Sequence, residues 1–172
     1  EESVKLTECD VIELSLEERK NFFDKSHLYG DTDATYSIGL KHKDRIVGAM
    51  AFRRPKFSKI VQYEICRFTT LPGVQLLGAF SKLIFEHVKR FGTSLTIQKS
   101  LEFGTNIESF RDFSEIKRTN PVYFYSNGDN RSAKLPTEEG LTEEETMLKH
   151  KYWRVYDCGN SVLLYTPSIK ES

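Results

Sequence analysis

At 172 residues with 38% hydrophobic side chains, the chain can bury one sizeable core, and a second domain would be cramped. Its 25 Lys and Arg balance 25 Asp and Glu, so global charge draws it neither to nucleic acid nor to a membrane, and any polyanion site must come from a local cluster. Three widely spaced cysteines, Cys9, Cys66 and Cys158, argue against a disulfide framework and a zinc site. The opening residues do not read as a signal peptide and no apolar run is long enough to span a membrane, so the expectation is a soluble, reduced, metal-free protein.

In chain order, Asp10 to Leu14 alternates like a strand, and Ser15-Leu16-Glu17-Glu18 is a capping box that opens a helix towards His27. Tyr36 to Lys41 and Arg45 to Phe52 flank a polar turn at His42-Lys43-Asp44, the pattern of a β-hairpin, beside which the strand Tyr63 to Thr70 should pair. That strand breaks at Leu71-Pro72-Gly73 and leads through Gln75 and Gly78 into a helix ending at Gly92. On this helix Phe80, Leu83, Ile84, His87, Val88 and Phe91 form one apolar stripe. Ser94 to Gln98 reads as a strand, Ile107 to Ile116 as a short helix carrying Phe110 and Phe113, and Val122 to Tyr125 as a strand ending in the Asn127-Gly128 turn. A polar, proline-containing loop from Asp129 to Gly140 precedes a short helix capped by Thr142. Tyr152 to Tyr156 and Val162 to Tyr165 then read as a terminal hairpin. The expectation is a single mixed α/β domain over residues 1–172, with residues 129–165 as an extension.

The passage from Tyr63 to Phe91 reads either as an anion pocket or as an ordinary strand-loop-helix joint that binds nothing, and both stay open. A strand that splays at a Pro-Gly break and feeds a helix aims backbone N–H groups and the positive end of the helix dipole at one spot. Beside it, Glu64 is the first candidate for a base that takes a proton from an amine; pairing with Arg67 or a neighbouring Lys is the alternative, and both stay open. His27 is a second candidate base, with a helix cap as the other reading. Arg53, Arg54, Lys56 and Lys59, interleaved with Phe52 and Phe57, form a basic loop suited either to a nucleic-acid backbone or simply to solvent. Lys149 and Arg154, near Trp153, form a second patch.

The order of elements resembles the GCN5-related N-acetyltransferase fold, in which a loop written Gln/Arg-x-x-Gly-x-Gly/Ala holds the pyrophosphate of an acyl-coenzyme A. Gln75-Leu76-Leu77-Gly78-Ala79-Phe80 matches its first Gln and first Gly and departs at Phe80, where the pattern has a small residue. The resemblance implies a mostly antiparallel twisted sheet with flanking helices, acetyl-coenzyme A or another acyl-coenzyme A as cofactor, and Arg67, Phe68, Gln75, Gly78, Ala79, Ser81 and Lys82 around it. Phe23-x-Lys25-x-His27-x-x-Gly30, Ile38-Gly39-Leu40, Val47 to Phe52, Tyr63 to Phe68, Gly78 to Leu83 and Tyr152 to Asn160 are similar to phage-encoded domains of this kind. Such domains stand alone or follow a Vsr-like homing-endonuclease domain, and they resemble the Mom-type proteins that modify adenine in DNA. That likeness implies DNA as partner, a nuclease domain as possible companion, and the cytoplasm of an infected bacterium as location. In two places the chain departs from such domains. The strand after the phosphate-loop helix, where a Tyr-x-Asp is common, continues as Thr96-Ile97-Gln98-Lys99-Ser100, and Phe110, with no hydroxyl to protonate a thiolate, is best placed to replace a Tyr in the following helix. Two functions of different class follow: a transferase in which Glu64 assists an amine nucleophile, or a non-catalytic DNA-recognition module derived from one.

Overall fold

Ser15 and Glu18 cap each other: the Ser15 hydroxyl accepts from the Glu18 N–H and the Glu18 carboxylate accepts from the Ser15 N–H, both at 3.1 Å. This capping box starts a helix where the sequence places it. In a computed structural model, residues 1–55, 59, 61–100, 111–132, 134–136, 139–156 and 158–167 are described. They fall into two compact units, one of residues 1–98, 112–114 and 163–172, the other of residues 99–111 and 115–162.

The larger sheet draws most of its residues from the first unit. After β1 (Glu2–Ser3) and a short 3-10 turn come β2 (Asp10–Glu13), α1 (Leu16–Ser26), β3 (Tyr36–His42), β4 (Arg45–Arg53) and β5 (Tyr63–Thr70). Then follow β6 (Val74–Gln75), α2 (Ala79–Phe91) and β7 (Leu95–Ser100). With β8 (Phe113–Arg118) and β12 (Asn160–Tyr165), seven strands are hydrogen-bonded in the order β2-β3-β4-β5-β7-β12-β8. The β3–β4 hairpin turns at Lys43-Asp44, with Lys43 at φ 56°, and β5 pairs antiparallel with β4 as the sequence predicts. β5 and β7 are parallel, which requires a crossover, and α2 supplies it.

Side-chain alternation sorts the core. Leu14, Ala49 and Ala51 pack with Phe22 and Phe23 of α1. On the other face Tyr36 and Phe52 meet His87 of α2, Phe52 stacked on the imidazole with ring centroids 4.2 Å apart. Leu83, Ile84 and His87 of the predicted stripe are buried, whereas Phe91, at its end, is 42% exposed.

The second unit holds a three-stranded antiparallel sheet in the order β10-β9-β11, made of β9 (Tyr123–Ser126), β10 (Arg131–Ser132) and β11 (Trp153–Tyr156). Its helix α3 (Glu143–His150) is capped by Thr142, whose hydroxyl accepts from the Glu145 N–H.

Two expectations are corrected. The helix expected over 107–116 is not there in its described part, because residues 113–116 are extended in β8; residues 107–110 lie outside the described residues. Tertiary pairing overrides the local pattern: the Thr166 N–H donates to the Asp112 carbonyl at 2.7 Å, and Phe113 packs on Tyr165. The last two strands form but are not a hairpin, since β11 pairs with β9 and the apolar β12 enters the larger sheet. The polar loop over 129–140 also contains the short strand β10.

Candidate active site

β5 and β7 pair over only three residues, Tyr63 to Ile65 against Leu95 to Ile97. Beyond Ile65 the strands part. On its other edge, β5 carries an extra residue. Ala51 pairs with Arg67 and Phe52 with Ile65, which leaves Cys66 bulged between them. The bulge shifts the alternation, so Glu64, opposite Arg53, and Arg67, opposite Ala51, share the face towards α1, and Phe68, opposite Met50, takes the face towards α2.

The carboxylate of Glu64 lies just before the fork, with the residue only 8% exposed. Its Oε2 accepts from Arg53 Nε at 3.2 Å, and its Oε1 accepts from Gln98 Nε2 at 3.4 Å. The expected alternative to a base is an ion pair with Arg67 or a neighbouring Lys on a solvated face; the carboxylate is instead mostly buried and paired with Arg53. Arg67 is committed elsewhere, its Nε donating to the Gly30 carbonyl at 2.9 Å and its Nη1 to the Cys66 carbonyl at 2.8 Å. Burial pushes the Cys66 thiol up to about 11, and its S–H donates to the Ala51 carbonyl. A thiol that stays protonated at neutral pH is no nucleophile.

His27 sits at the C-terminal end of α1, its backbone N–H donating to the Phe23 carbonyl. Burial, and then the positive charge of Arg67, lower its pKa, so the ring is neutral at pH 7. Its Nδ1 accepts from the Tyr29 N–H at 3.1 Å, which puts the ring proton on Nε2. In this arrangement His27 presents a donor, as a cap would, and no lone pair for a substrate proton.

Past β5, the turn 71–73 and β6 lead to Gly78, the N-cap of α2, at φ 80°. No side chain caps this helix start, and a Cβ on Gly78 would lie 3.0 Å from Leu6 Cδ1. Glycine is required there both for conformation and for space. Ala79 is buried and Ser81 exposed in the first turn, while Lys82 is ion-paired with Glu86 at 3.3 Å. The ring of Phe80, the departure from the family loop, packs edge-on against Phe68 at 5.0 Å and against Phe113 at 6.2 Å. Its bulk is thus absorbed within an aromatic cluster of the first unit.

The structure brings Glu64, Arg67 and Phe68 together on one strand, followed directly by Gln75, Gly78, Ala79, Ser81 and Lys82. It joins Arg53 to Glu64, and it joins Arg154 to Glu143 at 2.5 Å. Arg54 and Lys59 are exposed, Lys149 lies on α3, and Lys56 and Phe110 lie outside the described residues. Gln98 and the Cys66 bulge were missed in the sequence. Gln98 is found only once the β5–β7 register is known, and a bulge has no side-chain signature here. Among the described residues no group of His, Cys, Asp and Glu could hold a metal ion, and no helix is long and apolar enough to cross a membrane.

Neither a protein-family model nor a curated protein sequence matches the chain. Solved structures do. The ribosomal-protein-S18-alanine N-acetyltransferase of Escherichia coli aligns over 95% of this chain and 98% of its own, with a TM-score of 0.52 at 11% identity. A GNAT family acetyltransferase from Elizabethkingia anophelis, solved with acetyl-CoA bound, aligns over 94% and 99%, with a TM-score of 0.51 at 12% identity. At such identities the likeness is one of architecture: the chain has the GCN5-related N-acetyltransferase fold.

Proposed function

We propose that this protein transfers an acyl group from an acyl-coenzyme A, acetyl-coenzyme A first among them, to an amine. The observation that carries the reading is the parting of β5 and β7 after Ile65 beside the uncapped start of α2. The residues present fit such a cofactor. The positive-φ Gly78 lets backbone come close to a diphosphate, and the helix dipole favours its charge. Backbone edges of β5 beyond the bulge offer partners for an extended amide-bearing arm. The similar structure that holds acetyl-CoA supports the same assignment.

An acyl-coenzyme A bound there supplies an activated thioester carbonyl. Gln75, Gly78, Ala79 and Ser81 would hold its phosphates, with Lys82 adding positive charge, and Phe68 and Phe80 would wall the cleft on the α2 side. Arg67 fixes that wall by tying β5 to the loop after α1. Glu64 is the group that takes the proton from the attacking amine. Its contact to Gln98, at 3.4 Å the longer of the two, is the one an incoming N–H would replace. With the Cys66 thiol held protonated by burial, transfer runs directly to the amine and not through Cys66.

For the acceptor we carry the finer reading that the amine belongs to a DNA base, supported by the resemblance to phage DNA-modifying proteins and by exposed Arg54 and Lys59. Native mass spectrometry with acetyl-coenzyme A tests the cofactor before any acceptor is chosen. A retained or bindable coenzyme A supports the transferase; no binding favours the non-catalytic DNA-recognition module. Once an acceptor is found, Glu64→Gln, which keeps the shape and one acceptor oxygen for Arg53 while removing the charge and the basic lone pair, is expected to lower kcat by 10²–10⁴-fold, the usual contribution of a positioned base, with the fold intact by circular dichroism. An unchanged kcat would leave Glu64 as the structural partner of Arg53.

A further inference from the structure

The phosphate loop does not stand alone: residues 2–6 hold it from outside. β1 pairs in parallel with β6, Glu2 opposite Val74 and Ser3 opposite Gln75. The Glu2 N–H donates to the Gly73 carbonyl at 2.9 Å and the Val4 N–H to the Gln75 carbonyl at 3.0 Å. Val4 is only 4% exposed, so the segment is seated and does not merely touch. Further on, Leu6 fills the space beside Gly78, the residue whose backbone must approach the anion. At the other end the Glu2 carboxylate takes the Arg45 guanidinium at 2.6 Å, anchoring the segment to the start of β4.

A two-residue strand has little stability of its own, so β6 is held by its pairing with β1 together with the burial of Val74 and Leu76. Within the loop itself, one backbone bond, from the Val74 N–H to the Leu71 carbonyl, closes the turn. The backbone bonds to the Gly73 and Gln75 carbonyls come from Glu2 of β1 and from Val4.

We propose that residues 2–6 are a strap that pre-forms the phosphate loop, so that strap closure and binding of the cofactor's diphosphate stabilise one another. Ligand binding to an already ordered loop avoids the cost of ordering it, and a bound anion in turn holds the strap shut. The ligand assignment rests on the transferase reading; the strap itself can be tested without it.

Proline at position 2 removes the one N–H that bonds Gly73, at an exposed two-residue edge where proline is otherwise tolerated. Glu2→Gln keeps that N–H and removes only the charge. Leu6→Ala opens the space beside Gly78 without touching the pairing. Hydrogen exchange of the peptide over residues 71–79 and calorimetric affinity for coenzyme A are read for all three, with the melting temperature as a check on folding. Glu2→Pro is expected to speed exchange and weaken coenzyme A binding by about tenfold each, the scale of one backbone hydrogen bond. Leu6→Ala should move both in the same direction, and Glu2→Gln should stay within about twofold of the parent, since an exposed ion pair contributes little. Unchanged exchange and affinity in both Glu2→Pro and Leu6→Ala would overturn the strap. Absence of coenzyme A binding in the parent protein would instead overturn the cofactor reading, and with it the strap's part in binding, whatever the exchange shows.

Discussion

Ser81 is the third residue of α2 and exposed, a place where a carboxylate has two opposed effects. Near a helix N-terminus it interacts favourably with the dipole, by about 0.3–1 kcal/mol. Near a bound diphosphate it repels. Ser81→Asp is therefore expected to leave the melting temperature equal or slightly raised while weakening coenzyme A binding at least tenfold. Equal losses in stability and affinity would mean that the loop had deformed, and unchanged affinity would place the phosphates elsewhere. Substitution at Gly78, the obvious choice from sequence, is a poorer test, since any side chain there is strained at φ 80° and meets Leu6. His87 makes the second residue-scale prediction. It is fully buried among Tyr36, Phe52, Tyr63 and Phe91, with Nδ1 bonded to the Tyr36 hydroxyl and Nε2 without a hydrogen-bond partner among the described residues. Burial lowers its pKa from 6.5 to about 4. The unfolded chain then binds the proton first, so stability is complete above pH 6.5 and falls as pH drops towards 4, by about 3 kcal/mol across that window. Denaturant melts of the parent should show this slope, and His87→Phe should flatten it from a lower starting stability. A slope unchanged by that substitution would assign the acid sensitivity to other groups.

At the scale of elements, what the sequence foretold depends on how local the cause was. The Ser15 capping box, the Thr142 cap, the β3–β4 hairpin and the α2 stripe all arise from residues within a turn or two of one another, and all were legible. The fork was legible only in outline. Pro72 and Gly73 mark a break after β5, yet the strands separate earlier, at the Cys66 bulge, which depends on the register between β4 and β5. Likewise Glu64 could be named as a candidate but its partners could not, because Arg53 and Gln98 reach it from two different strands. The terminal pair of strands failed for the same reason. Each looks like half of a hairpin, but their partners are remote in sequence, and Gly159 at φ 80° carries the chain between them. A Cβ at Gly159 would lie 2.3 Å from the Thr119 carbonyl oxygen, and the Thr119 N–H bonds the Asn160 carbonyl at 2.8 Å. Gly159→Ala must therefore break that backbone pairing or adopt a strained conformation. A loss of about 2 kcal/mol or more is expected in chemical denaturation, against less than about 0.5 kcal/mol for a surface substitution such as Lys151→Ala. Equal effects of the two would show that the chain passes Thr119 by another route.

Over the whole molecule, 25 basic and 25 acidic side chains cancel, and that decides how a DNA acceptor would have to be held. A neutral protein gains nothing from its overall field, so affinity for a polyanion comes from the few cations able to displace counterions from phosphates. Two of the arginines marked in the sequence are already committed. Arg53 serves Glu64, and Arg154 is bound by Glu143 and lies over the Tyr123 ring at 5.6 Å. To contact phosphate, each would first leave its carboxylate, and leaving Glu64 would strip the proposed base of its partner. Arg54 and Lys59 are exposed and carry no ion pair among the described residues, so they are the side chains expected to meet the backbone. Two phosphate contacts predict a slope of about −2 for log affinity against log salt with duplex DNA. Replacing Arg54 and Lys59 together by Gln should bring that slope close to zero, whereas Arg154→Gln should leave it unchanged. A slope of about −4 or steeper in the parent would mean that further cations join, Lys56 and Lys149 of the two patches or Arg53 and Arg154 after leaving their carboxylates. An affinity independent of salt would remove DNA as the acceptor and direct the search to amines that carry no phosphate backbone.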